Sequence, residues 1–232
     1  MHPTVKAARI AGAMYLLLFT APLRLVYIPS TLFVRGDATA TASNIAAHET
    51  LFRLGILSDL FTGTAVIFVV LALYRLFKAV DQNLATLMVI LGGLMVAPIY
   101  FLNTLNDAAA LILVRGADFL SVFTKGQLDA LAMLFLRLHH HGVVANQIFW
   151  GLWLLPLALL VIRSGFLPRF LGYWLILNGI AYVALSFTGF FWPQYEDMAF
   201  NIAFPAMLGE IALVLWLLIK GAKVQPVAAA AS

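Results

Sequence analysis

The sequence predicts an all-α fold: a polytopic membrane bundle of six transmembrane helices, with both termini cytoplasmic and short amphipathic helical segments on the outer side. Three observations predict it. Of 232 residues, 63% are hydrophobic and 10% charged, against roughly 45–50% apolar and about 25% charged in soluble chains. The apolar residues fall into six runs, each long enough to supply the roughly 20 residues that cross a bilayer. The basic residues gather in alternate connections. With the N-terminus inside, Lys6, Arg9, Arg75, Lys78, Arg163, Arg169, Lys220 and Lys223 all lie on the cytoplasmic side, while the Glu196-Asp197 turn lies outside with no Lys or Arg beside it. The expected layout is one membrane domain over residues 1–223 and a disordered tail over 224–232.

Composition also removes functions. The net charge of +4 is accounted for by the loops, so no nucleic-acid partner is expected. Cysteine is absent, which excludes disulfides, thiolate metal sites and a cysteine nucleophile.

The first span follows Lys6 and Arg9. Apolar residues continue past Arg24 to Ile28 without an A-x-A-like cleavage site, so a retained helix is expected rather than a signal peptide. Arg24, near its outer end, is expected to snorkel to the interface, and Pro29 to stop the helix. Gly36-Asp37 forms a turn, with Asp37 placed to cap a short helix. The second span covers about 51–76 and carries Arg53 and Asp59 near its start. The third apolar segment, 84–114, is about 46 Å long as a helix, too long for one straight crossing. Pro98 offers a kink, and Asn103, Asn106 and Asp107 mark an expected point of emergence. A helix from about 127 to 162 is again too long, so QLDALAMLFLRLHHH should stand on or above the outer surface as part of a protruding hairpin. The fifth and sixth spans cover about 170–190 and 200–219.

The expensive residues share a depth. Arg53 and Asp59 come early in an inward-running span, Asn103 and Asp107 late in an outward-running one, and His139 to Asn146 early in the next. Asn103 and Asp107, four apart, lie on one helix face; His139 and Asn146, seven apart, lie on another that continues through Trp150 and Trp153. Together they outline a polar pocket opening outward. Glu210 sits near the middle of the sixth span and needs a partner; a protonated Glu210 hydrogen-bonded to Asn178, with Tyr182 one turn on, supplies one.

The run His139-His140-His141 does not read as a metal motif, because consecutive helical residues diverge by about 100°. At most one of them points inward, and His139 is that one because it shares the face of Asn146. A metal there would need Asp59, Asp107 or Glu210 to complete its shell. No metal or other cofactor is expected. Ser58 beside Asp59 has no G-x-S-x-G context and reads as a helix–helix hydrogen bond. Arg53 has two readings: a surface pair with Glu49, or a hold on an anionic group at the pocket mouth.

Four segments carry a resemblance: GDATATASNIAAHETLFRLGILSDL from Gly36, ALYRLFKAVDQNLATL from Ala72, LHHHG from Leu138 and RSGFLPRFLG from Arg163. In these the chain resembles the bacterial six-helix membrane proteins of domain-of-unknown-function family 4386, from Arg9 to the WLLIKG that begins at Trp216. The family pattern holds the Arg and Asp of LFRxGxxxDL and the first His of LHxxG, here Arg53, Asp59 and His139. The resemblance implies a fold and a place in the bacterial inner membrane, and carries no established site or activity.

The leading functional expectation is a protein, not demonstrably an enzyme, that binds a small ligand or lipid headgroup through Arg53, Asp59, Asn103, Asp107, His139, Asn146 and Glu210, with transport or sensing as its use. Two alternatives stand beside it. One is an intramembrane, metal-assisted hydrolase built on His139 and the carboxylates. The other is a structural or partner-binding protein whose polar residues hold helices together. The bilayer is the one certain partner, and the sequence sets no oligomeric state.

Overall fold

The computed structural model describes residues 3–223; the tail expected over 224–232 lies outside the described residues. Six helices are long and apolar enough to cross a membrane, and no strand occurs among the described residues. They are α1 (Pro3–Leu32), α3 (Glu49–Phe77), α4 (Gln82–Arg115), α5 (Lys125–Arg163), α6 (Arg169–Phe191) and α7 (Glu196–Ile219), with a short α2 (Ala38–Ala47) after the first. The long helices pack in chain order, each against the next, and α7 returns to α1, so they close a ring. Large apolar side chains such as Leu102, Leu105, Ile202 and Leu215 point away from the bundle, as a lipid-facing surface requires.

Both ends of the described residues, Pro3 and Lys223, lie at one end of the ring. There Arg9 reaches the Ile219 carbonyl, Lys223 N–H donates to Phe166 O at 2.9 Å, and Arg163 pairs with Asp81 at 2.8 Å. The opposite, distal end joins Arg35 to Asp197 at 2.9 Å and Arg115 to Glu49 at 3.5 Å. The hydrogen bond to Asp197 holds the Arg35 guanidinium above its ordinary range, but both side chains are exposed and the pair contributes little.

Pro29 departs from the sequence expectation, and Pro98 shares its reason. Pro29 does not stop α1, which runs on to Leu32. A helical proline crowds the carbonyl four residues before it; for Pro29 that residue is Leu25, inside a π-helical turn at Leu23–Tyr27 that widens the backbone there. Pro98 repeats the arrangement: Leu94 lies four residues before it and closes a π turn at Ile90–Leu94. The irregularity of the third span therefore falls one turn ahead of Pro98.

Helix ends follow local chemistry. Asp37 accepts from Ala40 N–H at 2.8 Å and starts α2 as expected. Gly116 ends α4 with φ of 71°, a conformation that a side chain disfavours. Thr124 and Gln127 form a reciprocal capping box at the start of α5. At 39 residues, α5 is about 58 Å long, so it stands well beyond one bilayer crossing. Its first turns, the end of α4, α2 and the adjoining ends of α1 and α3 enclose a separate distal core that includes Ile28, Ile45, Phe52, Ala110, Ala132 and Leu136. The expected protruding hairpin thus has a hydrophobic interior of its own. The main core lies toward the termini and takes residues from all six long helices.

The closest crossing is between α5 and α6. A Cβ on Gly151 would overlap the Gly179 carbonyl oxygen, and one on Gly179 would stand 2.8 Å from the Gly151 carbonyl. Such backbone approach gives helices in lipid their van der Waals contact. Gly151→Ala is expected to lower stability by about 1–3 kcal/mol, read as an earlier thermal unfolding transition in detergent. Gly126→Ala, with open space around it, should leave that transition in place.

Candidate functional site

Four long helices each deliver one side chain to a buried cluster near the distal end: Arg24 from α1, Asp59 from α3, Asp107 from α4 and His139 from α5. All four are at most 2% exposed. The expectation that Arg24 snorkels is overturned. Its Nε donates to Asp107 Oδ2 and its Nη2 to Asp107 Oδ1, both at 2.6 Å. This is the bidentate fork geometry that the planar guanidinium favours. The rings of Phe33 and Phe52 flank the guanidinium, with centroids 5.5 and 6.0 Å from its carbon. Snorkelling loses because an acid of matching depth offers a closer partner than the headgroups. Asn103 and Asp107 are likewise buried in the bundle, and the helix continues to Arg115.

His139 is oriented by its surroundings. Nδ1 lies 3.2 Å from Asp107 Oδ1 and 3.4 Å from the Asn103 carbonyl oxygen. Both of those oxygens accept, since Asp107 is held anionic by Arg24, so Nδ1 carries the proton. Nε2 then faces Asp59 Oδ2 at 3.5 Å. Neither Nε2 nor either Asp59 oxygen makes a hydrogen bond among the described residues, an unusual state for buried polar atoms.

The ligand atoms of Asp59, Asp107 and His139 lie within 4.8 Å of one another, near enough for a metal ion. The chemistry of the donors fits a metal poorly. Arg24 occupies both Asp107 oxygens and adds a positive charge, which leaves Asp59 and His139 Nε2, fewer than the three protein ligands of an open zinc site. Asp107 acts instead as the carboxylate that sets the imidazole's orientation.

A cavity of about 350 Å³ opens beside this cluster. Arg24 and His139 form part of its wall, with Arg137, His140, His141 and Glu196 nearer the surface and Leu25, Pro29 and Phe33 as an apolar side. His140 pairs with Glu196 at 3.1 Å and His141 stacks on Phe190, so His139 alone of the three turns inward, as helical spacing predicted.

The other sequence-selected residues separate. Asn146 is buried on the His139 face and donates to Val96 O at 3.4 Å, while its Oδ1 makes no hydrogen bond among the described residues. Arg53 stands outside the cluster, half-exposed, with Nε 2.7 Å from Glu49; the surface-pair reading describes it. Ser58 bonds back to Gly55 O in its own helix rather than across helices. Glu210 belongs to a second cluster. Its carboxyl accepts from the Tyr15 hydroxyl and, as expected, from Asn178 Nδ2 at 3.1 Å, with Tyr182 also engaging it. Tyr15 precedes Arg24 by nine residues, about 13 Å along α1, so Glu210 lies nearer the termini and apart from the cavity.

Sequence reasoning missed Arg24 and Tyr15. The signal for Arg24 was charge balance. Asp59 and Asp107 lie within apolar spans, an intramembrane acid calls for a partner, and Arg24 is the base embedded at similar depth.

A family model described as "Domain of unknown function (DUF4386)" matches residues 10–221. An "Uncharacterized protein" of Archaeoglobus fulgidus is 32% identical over 85 residues, covering 35% of this chain and 48% of that protein. The match thus spans about half the length of the curated relative. No solved structure matches.

Removing one member of the Arg24–Asp107 pair strands a buried charge, which costs about 3–5 kcal/mol. Arg24→Gln and Asp107→Asn should each lower the unfolding transition by that order. The double variant should lose less than the sum of the two, and a thermal-unfolding cycle measures the difference.

Proposed function

We propose that this chain, which belongs to the DUF4386 family, is a multi-pass inner-membrane protein that binds a small anionic group in its distal cavity. The group is a lipid headgroup or a free phosphate or carboxylate. One observation carries this reading: the cavity brings Arg137, which makes no ion pair among the described residues, together with a floor of Arg24 and His139. Of the acids bordering that space, Glu196 is engaged by His140. Arg137 is therefore the cation lining that space without an ion-pair partner among the described residues, and a guanidinium suits the planar oxygens of phosphate and carboxylate. Leu25, Pro29 and Phe33 give an apolar wall against which an acyl chain packs.

The basic residues of the termini end support a cytoplasmic placement of both termini, which turns the cavity outward. Closed by neighbouring helices and lacking a visible repeat, the bundle supports binding or sensing more than alternating access.

The test is equilibrium binding of dihexanoyl phosphatidylglycerol, dihexanoyl phosphatidylcholine and inorganic phosphate to the purified protein in micelles. The anionic lipid should bind more tightly than the zwitterionic one. Arg137→Ala should weaken it about tenfold, the worth of one charge-assisted hydrogen bond. Phosphate binding as tightly as the lipid would assign a free anion. Equal binding of both lipids, unaffected by Arg137→Ala, would contradict the proposal.

A hydrolytic reading has one observation in its favour: Asp107 orients His139 while Nε2 carries no hydrogen bond, the arrangement of a general base. It predicts that the ester lipid is cleaved on incubation and that His139→Gln stops this. Binding alone returns the lipid intact.

A further inference from the structure

The four buried groups do not balance. Arg24 and Asp107 cancel each other through two 2.6 Å hydrogen bonds. What remains is Asp59, fully buried with neither oxygen hydrogen-bonded among the described residues, facing His139 Nε2 across 3.5 Å. Since His139 Nδ1 already donates toward Asp107 and Asn103, a neutral imidazole presents a lone pair at Nε2. An ionised Asp59 opposite it would place two acceptors face to face, with an uncompensated negative charge stripped of hydrogen bonds. That is among the costliest arrangements an interior can hold.

One proton between the two resolves it. The proton sits either on the carboxyl, which then donates to Nε2, or on Nε2, which then donates to the carboxylate. Either way the four groups sum to zero. A second proton makes Asp59 a neutral acid and His139 an imidazolium, and the cluster becomes positive by one. Arg24 opposes this state in the empty cavity. An anion beside Arg24 and His139 favours it.

We propose that Asp59 and His139 form a proton-binding site that takes up a proton when an anion occupies the adjoining cavity. This rests on the anion-binding reading above and adds the proton as a second ligand. The charged and titratable groups facing the pair are Arg24 from α1 and Asp107 and Tyr100 from α4, with Arg137, His140, His141 and Glu196 at the cavity. Helix α2 has no titratable side chain, and α6 meets this part of α5 with groups that do not titrate: the Ser186 hydroxyl, donating to Val144 O at 2.6 Å, and Phe190, stacked on His141. Arg24 and Asp107 are locked to each other and His140 to Glu196, so the Asp59–His139 gap is the place where a proton is missing a fixed owner. Glu210 differs: its carboxyl is met by Tyr15 and Asn178.

The linkage has a definite sign. The complex holds one proton more than the free protein, so the anion binds more tightly as pH falls. By reciprocity, the anion makes the pair harder to deprotonate. Across the pH range where the free pair holds one proton and the complex two, Kd rises about tenfold per pH unit.

The experiment is calorimetric titration of dihexanoyl phosphatidylglycerol into the purified full chain in micelles, in two phosphate-free buffers of different ionisation enthalpy and over a range of pH. The expected result is a buffer-dependent heat that approaches uptake of one proton per lipid, with Kd rising as pH rises. His139→Gln should make the heat independent of buffer, because the second proton creates the imidazolium; His139→Asn should do the same and carries the test if the first variant fails to fold. Wild-type heats equal in both buffers, with a Kd that ignores pH, overturn the proposal while leaving anion binding standing. No binding at any pH overturns the anion reading instead. The proton site is then decided by infrared spectra as the pH is lowered. A protonated-carboxyl band that Asp59→Asn removes supports it, and the lack of such a band overturns it.

Discussion

The buried pair of Arg24 and Asp107 is the interaction on which the distal half of the bundle depends. Two ions taken out of the bilayer's headgroup region into a helical interior lose their hydration, and their mutual attraction repays this only with close geometry. The fork of two 2.6 Å bonds supplies that geometry. Its consequences spread through the cluster. Asp107 is held as an anion, an anion orients His139 through Nδ1, and the imidazole thereby aims Nε2 at Asp59. The pair also ties the first span to the third, helices that are not neighbours in the ring.

Around this pair the backbone makes room by two devices. The π turns at Leu23–Tyr27 and Ile90–Leu94 each contain the residue four before a proline, Pro29 and Pro98, in the same two helices that contribute Arg24 and Asp107. Arg24 itself lies inside the first π turn. The second device is glycine at close contacts. A Cβ on Gly55 would stand 3.1 Å from Arg24 Cδ, and one on Gly142 would fall on the Asn103 side chain. Small residues on α3 and α5 thus leave space for the guanidinium stem and for the amide beside His139.

Much of this was legible in the sequence. Hydrophobic runs and basic loops define the spans, because both patterns are written in composition along the chain. The choice of His139 over His140 and His141 follows from helical rotation, and the Asn178–Glu210 contact from matched depth in adjoining helices. Arg24 reads as an interface residue because a lone polar residue near a span end is cheapest there, whereas it is buried against Asp107. Its actual environment depends on which helices meet, and pairing is not written in any one helix. Arg53 had two readings, and the structure shows the pair with Glu49, four residues earlier on the same helix. The π turns have no local signature beyond a proline, so Pro29 read as a stop.

The central claim is that the Arg24–Asp107 pair fixes the protonation geometry of His139. Nitrogen-15 spectra of histidine-labelled protein in lipid bilayers test it directly, with His139→Gln assigning the signal. His139 should carry a proton on Nδ1 at every pH at which the protein stays folded, whatever the state of Nε2. A neutral His139 with Nδ1 bare and Nε2 protonated would contradict it.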